Sequence, residues 1–175
     1  ANTFGANRYK MENTGYSVKE LISAAIKNAK EAAKGTDTLV ALDLGPIGQL
    51  LEPTGSLTFE EAYDIFKEEV VAAEGADVIV IETMTDLLET KAAVLAAKEN
   101  SNLPVMTTMT FEENKRTFTG CSVSAMCLTL QGLGVDALGV NCSLGPKDLL
   151  PIVEEISKWT YLPIVVKANA GLPDP

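Results

Sequence analysis

The sequence predicts an α/β chain with a parallel sheet, read as a partial (β/α)8 TIM barrel. Three observations carry this reading. Short apolar runs alternate with amphipathic helical stretches along the whole chain, the pattern of right-handed βαβ units. A polar residue, in turn Thr3, Asp43, Glu82, Thr110, Asn141 and Asn169, stands at the carboxyl end of each apolar run. Such a spread suits the rim of a barrel, whereas a doubly wound sheet gathers its chemistry at one switch point. The chain has 175 residues, and a complete barrel takes about 250. About six of the eight strands are therefore expected, in a single domain over residues 1–175 that is truncated at both ends. A doubly wound sheet would be complete at this length, but no GxGxxG or Walker-type loop follows any strand.

Ala1 to Asn7 reads as the end of a strand running into a loop. Ser17-Val-Lys-Glu20 is a capping box, in which the serine and glutamate side chains satisfy each other's backbone N–H groups. Leu21, Ile22, Ala25, Ile26, Ala29 and Ala33 follow at helical spacing, and Gly35 ends the helix. Leu39 to Leu44 is the next strand, with Asp43 reaching the rim before the turn Gly45-Pro-Ile-Gly48. The unit then repeats. Thr58-Phe-Glu-Glu61 is a second capping box, with Phe59, Ala62, Phe66, Val70 and Ala73 on one face and Gly75 as the stop.

Asp77 to Ile81 is a strand ending at Glu82, and Asp86 with Glu89 opens a helix through Lys98 whose buried stripe is Leu88, Ala92 and Leu95. Pro104 to Thr110 is a strand and Ser122 to Leu130 a helix. Asp136 to Cys142 is the strand on which the rest centres, because its uncharged run Ala137 to Val140 ends in an amide and a thiol. Asp148 caps a helix with Pro151 in the first turn and Leu150, Val153 and Ile156 facing inward. Pro163 to Ala168 is the last strand, leading into Asn169-Ala-Gly-Leu-Pro173.

Composition removes several classes of function. A formal net charge of -10 repels nucleic acid and anionic lipid. No apolar run is long enough to span a bilayer and no charged-then-apolar leader opens the sequence, so a cytoplasmic protein is expected. With no histidine, neither Ser-His-Asp nor Cys-His activation is available. A metal bound by soft ligands would need thiolates, which select zinc. Three cysteines without regular spacing fit a reducing compartment. Cys121 and Cys127 are six positions apart, on different faces of a helix that packs outside the barrel, and read as packing thiols. Cys142, at a strand end, is a candidate nucleophile, metal ligand or packing residue.

The ordered motifs Asn2-Thr-Phe-Gly-Ala-Asn7, Asp43-Leu-Gly-Pro46, Glu82-Thr-Met84, Met109-Thr-Phe111, Gly139-Val-Asn-Cys-Ser-Leu-Gly-Pro146 and Asn169-Ala-Gly-Leu-Pro173 resemble the homocysteine S-methyltransferase family. Within it they are most similar to the homocysteine-binding modules of cobalamin-dependent methionine synthases. The resemblance implies a barrel in which homocysteine binds zinc through sulfur and attacks a methyl donor to give methionine. It makes Cys142 a metal ligand and Glu82 the partner of the substrate's amino group, with Thr3, Asp43, Asn141 and Asn169 as further substrate-binding positions. It implies methylcobalamin as donor, and folate- and cobalamin-binding domains elsewhere in a longer parent chain. The family's paired zinc cysteines in a Gly-Gly-Cys-Cys motif, and its first strand with an Asp-Gly-Ala-Met type of loop, have no counterpart in these residues. The chain alone is therefore expected to lack a complete zinc site and to be inactive. Two other readings stand beside this one, a Schiff-base lyase or aldolase using Lys167 and a noncatalytic barrel fragment.

Overall fold

The computed structural model describes residues 1–171. The expected loop positions Leu172 and Pro173 lie outside the described residues. In chain order the elements are α1 (Arg8–Met11), α2 (Val18–Ala32), β1 (Ala41–Leu44), α3 (Phe59–Ala72), β2 (Val78–Met84), α4 (Leu87–Asn100), β3 (Val105–Met109), α5 (Val123–Gly132), β4 (Ala137–Asn141), α6 (Pro146–Ile156) and β5 (Ile164–Lys167). The strands form one parallel sheet in sequential order, β1-β2-β3-β4-β5. That order, without reversal, is an arc of a (β/α)8 barrel and not a doubly wound sheet.

The arc is curved. Lys167 on β5 reaches Glu82 on β2, although three strand spacings separate these strands, about 14 Å in a flat sheet. Contact across that gap requires the two strands to tilt toward a common concave side.

Local sequence sets the helices. Both capping boxes form, Ser17 with Glu20 and Thr58 with Glu61. Helix α2 buries Val18, Ile22 and Ile26, and α3 buries Ala62, Ile65, Phe66 and Val70. Each of the valine, isoleucine and phenylalanine side chains removed from water contributes about 1.5–3 kcal/mol. Below the sheet, at the amino ends of the strands, one device appears twice. Asp77 accepts the Val40 backbone N–H at 2.7 Å and the Lys30 ammonium at 2.6 Å. Asp136 accepts the Val105 N–H at 2.8 Å, with Lys98 at 3.6 Å. Each aspartate ties the start of one strand to that of the preceding strand and to a helix. The Lys30 and Val40 hydrogen bonds hold the Asp77 carboxyl below its usual pKa.

Several elements differ from the sequence reading. Five strands, not six, are present among the described residues. The amino-terminal segment lies along β1 without joining the ladder, because Thr3 N–H is turned back to Ala1 O and the Thr3 carbonyl accepts Ala6 N–H. Its attachment is by the Ala1 nitrogen to Ala41 O and by the Thr3 hydroxyl to Asp43. Helix α6 starts at Pro146 after Gly145, so Asp148 is in its first turn and Pro151 in its interior. That shift turns Leu149 and Ile152 inward with Ile156, and leaves Leu150 57% exposed. In α4, Ala92, Ala93, Val94, Ala96 and Ala97 are all buried while Leu88 is exposed, since small alanines let the helix be enclosed by its neighbours on most sides. Strand β2 runs on through Glu82 to Met84, with a register irregularity after Ile81. Leu39 is exposed ahead of β1.

Two acids are buried beneath the β1 end of the rim. Glu89 accepts the Ile47 N–H at 2.7 Å, and burial raises its pKa to about 7. Glu69 is 1% exposed with Oε1 unpartnered among the described residues, and burial raises it to about 8 from the usual 4.5. Below pH 4.5 the group is protonated whether the chain is folded or not, and it costs nothing. As pH rises from 4.5 to 8 the unfolded chain releases the proton first, so stability falls across that window and the full penalty holds above it. Glu69→Gln should therefore stabilise the fold at pH 8 by at least about 1 kcal/mol, and the gap should close by pH 5. Denaturant midpoints of the two proteins at both pH values check this; an equal offset at pH 5 and pH 8 contradicts it.

Candidate functional site

Asn141 closes β4 and is 2% exposed. Its Oδ1 accepts the Thr83 backbone N–H at 2.8 Å and the Thr108 hydroxyl at 2.8 Å. Its Nδ2 donates to the Thr83 hydroxyl at 2.7 Å and to Cys142 Sγ at 3.2 Å. Its carbonyl accepts the Thr110 hydroxyl at 3.0 Å. An amide has two donors and two acceptor positions, and all four are used. Residues of β2, β3 and β4 are joined at this one side chain.

The amide also holds unusual backbone. Thr83, Cys142 and Ser143 have φ of 61°, 59° and 59°, in the left-handed region that costs a non-glycine residue roughly 1–2 kcal/mol. Strain of this kind persists only where the surroundings over-determine it. Thr83 is fixed by Asn141 through both backbone and hydroxyl. Cys142 donates its N–H to Lys167 O at 3.0 Å, and its carbonyl accepts Leu144 N–H at 2.7 Å. The Cys142 thiol is thereby half-buried at the rim, with Thr83 Oγ1 at 3.9 Å and an amide N–H aimed at the sulfur.

Glu82 precedes Thr83, and its carboxylate accepts the ammonium of Lys167. Burial draws Lys167 below its usual pKa, against the charge of Asp43. Asp43 has a buried Oδ1 without a partner among the described residues, and burial raises its pKa against the positive charge of Lys167. Glu82, Asn141, Cys142 and Lys167 thus form one neighbourhood, with Asp43 inside its electrostatic reach.

Thr3 and Asn169 stand differently. The Thr3 hydroxyl, 1% exposed, donates to Asp43 O and accepts Asp43 N–H, both at 2.8 Å. It stitches the amino-terminal segment to β1 and has little capacity left for a ligand. Asn169 is exposed and its backbone N–H donates to Leu144 O. Cys127 is fully buried in α5, where burial raises its thiol to about 11. Cys121 bonds Ser122 O, and burial raises it too. Neither contacts the Asn141 cluster in any hydrogen bond described.

Thr83 and Thr108 are the site residues that sequence reasoning did not single out. Alternation along β2 sets Thr83 on the face opposite Glu82, and only its left-handed φ brings it to Asn141. The available signal was its place inside Glu82-Thr-Met84. Among the described residues no group of three or more His, Cys, Asp or Glu side chains is placed to hold a metal ion. A concavity of about 810 Å³ along α2, lined by Tyr16, Leu21 and Ala25, contains none of these residues.

Replacing Asn141 by leucine should cost about 2–4 kcal/mol, because the Thr83 N–H and Thr108 hydroxyl would be buried without partners. Chemical denaturation measures it, and a loss below about 0.5 kcal/mol would mean that the amide is not the joint described.

The chain is similar to known proteins over its whole length. The profile of the family described as homocysteine S-methyltransferase matches residues 1–175. The chain is 30% identical over 189 aligned positions to methionine synthase of Mycobacterium leprae (strain TN), covering 98% of this chain and 15% of that protein. It is 31% identical over 189 positions to methionine synthase of Mycobacterium tuberculosis (strain ATCC 25618 / H37Rv), covering 98% and 16%. The chain thus spans about one sixth of the length of the curated relatives it matches. The metallated form of the homocysteine methyltransferase MmuM from Escherichia coli superposes with a TM-score of 0.86 at 22% identity, covering 97% of this chain and 66% of that one. The apo form gives 0.76 at 24%, covering 87% and 60%. These two similarities establish the partial-barrel fold.

Proposed function

The chain belongs to the homocysteine S-methyltransferase family, and we propose that it is the homocysteine-binding barrel of a methionine synthase-type protein. In this reading it presents the substrate's sulfur to a methyl donor, methylcobalamin in the parent protein. The observation that carries the reading is the Asn141–Cys142 corner, a rim thiol in a left-handed backbone with an amide N–H aimed at its sulfur. A core cysteine needs neither feature.

Zinc is the metal the family implies, and the donors present fit it in part. Cys142 offers one soft ligand with a neighbouring N–H of the sort that orients metal-bound groups. The described residues supply no set of three such ligands around it, and a catalytic zinc site takes three protein ligands. The others would come from residues outside this sequence. When bound, zinc favours the thiolate form of homocysteine, which is the nucleophile. The chain's own residues do the positioning. Glu82 takes the substrate ammonium, Asn141 and Thr83 hold the cysteine corner, Thr3 fixes the backbone of Asp43, and Asn169 shapes the adjoining loop.

Folate- and cobalamin-binding domains are the partners this reading assigns to the parent chain, and the reducing cytoplasm is its compartment. No helix among the described residues is long and apolar enough to cross a membrane. The Schiff-base alternative loses ground because the Lys167 amine is engaged as an ammonium by Glu82, whereas an imine-forming lysine must present a free amine.

In the full-length protein, Cys142→Ser should lower zinc content and cut methyl transfer to homocysteine by at least about 100-fold. Glu82→Gln should raise the homocysteine KM by about tenfold or more, with kcat less affected. Elemental analysis and steady-state assay decide both; unchanged zinc in the serine variant sinks the ligand role. The 175-residue chain expressed alone should carry substoichiometric zinc and no turnover. Stoichiometric zinc with activity would show that Cys121 or Cys127 completes the centre and that the barrel fragment is self-sufficient.

A further inference from the structure

The carboxylate assigned to the substrate's ammonium already holds one. Lys167 donates to Glu82 Oε2 across the concave side of the sheet. The backbone of Lys167 is fixed independently, since its carbonyl accepts the Cys142 N–H at 3.0 Å. Its side chain is 46% exposed and that of Glu82 21%, so the ammonium can leave without disturbing the thiol corner. A second carboxylate stands vacant nearby. Asp43 is in register with Val80, two positions before Glu82 on β2, so both side chains stand on the same face of the sheet, and its Oδ1 is buried and unpartnered among the described residues.

We propose that Lys167 is an exchangeable counter-ion, which holds Glu82 in the free protein and passes to Asp43 when the ammonium of homocysteine takes its place on Glu82. The inference rests on the reading of Glu82 as the ammonium partner and adds to it the fate of the displaced charge. Before binding there is one ion pair and one buried carboxylate oxygen without a donor. Afterwards there are two pairs and no orphan. Exchanging one ammonium for another on Glu82 is nearly even, so the cost of binding is what the displaced lysine loses in leaving the partner it prefers in the free protein, and the unpartnered Asp43 acceptor returns part of that loss. A thiol without an ammonium cannot set the exchange going. Lys167 is thus a positioning and selectivity residue that need not touch the reacting sulfur.

The test uses the full-length protein, with equilibrium binding of L-homocysteine and of 4-mercaptobutanoate, which is homocysteine without its amino group. Lys167→Met should tighten homocysteine binding by about fivefold and leave 4-mercaptobutanoate unchanged. Asp43→Asn should weaken homocysteine by about fivefold, and should have no further effect in the Lys167→Met background. Weaker homocysteine binding in Lys167→Met would instead make Lys167 a partner of the substrate carboxylate, and would overturn the exchange. Equal shifts for both ligands, or additive effects of the two substitutions, would do the same. Lys167→Gln serves if the methionine variant does not fold. Glu82→Gln separates the two levels: if it leaves homocysteine binding intact, the ammonium reading of Glu82 is wrong and the exchange falls with it. If it weakens binding while Lys167→Met does not discriminate between the ligands, only the exchange is wrong.

Discussion

A single buried amide governs this rim. Asn141 uses both acceptor positions and both donor hydrogens on groups from β2, β3 and its own strand end. Two of its neighbours, Thr83 and Cys142, have left-handed backbones that together cost a few kcal/mol. Few other side chains could offset that cost at this point. A carboxylate would lack donors for the Thr83 hydroxyl and the sulfur, and an aliphatic residue would leave the Thr83 N–H unpaired. The same corner sets the approach of Lys167, whose carbonyl receives the Cys142 N–H. The thiol, the carboxylate Glu82 and its cation are therefore placed by one hydrogen-bonded unit, and not by three separate loops.

The two ends of the sheet are built on opposite principles. At the amino ends, Asp77 and Asp136 have their acceptors filled by strand N–H groups and lysines, which is charge used to join elements. Elsewhere polar groups are left short of partners among the described residues: Asp43 Oδ1 near the carboxyl end of β1, Thr107 Oγ1 in the middle of β3 and Glu69 Oε1 in the last turn of α3. Burial raises the pKa of Asp43, Glu69 and Glu89 together on the β1 side of the barrel. Unmet hydrogen-bonding capacity lowers stability, and at Asp43, beside the rim, it is what a binding face tolerates and a structural base does not.

What the sequence disclosed follows the range of the interactions involved. Caps are local, so Ser17-Glu20 and Thr58-Glu61 could be read directly. The alternation of strands and helices, and the rim placement of Asp43, Glu82, Asn141 and Cys142, follow from short-range periodicity as well. Three things were hidden because they depend on distant groups or rare backbone. Thr83 enters the site through a positive φ that no alternation rule contains. Thr3 looked like a site residue, yet its hydroxyl is spent on the backbone of Asp43, forty positions away. Lys167 stood as a candidate Schiff-base amine, and its ion-pair partner Glu82 is 85 positions distant. In α6 the error was local: Gly145-Pro146 starts the helix before Asp148, and the buried face rotates accordingly.

The paired state of Glu82 bears on how such a site selects its substrate. A metal-bound sulfur would by itself take any small thiol, since coordination recognises the donor atom and not the rest of the molecule. Discrimination must come from the other end of the ligand. A carboxylate standing free would attract any cation in solution. With Lys167 already seated, Glu82 is open only to a ligand that brings an ammonium in the right place and leaves the displaced lysine somewhere to go. The vacancy at Asp43 provides that place. Selectivity of this kind resides in the exchange of partners, so it costs no net charge in the cleft and requires no movement of the backbone that holds the thiol.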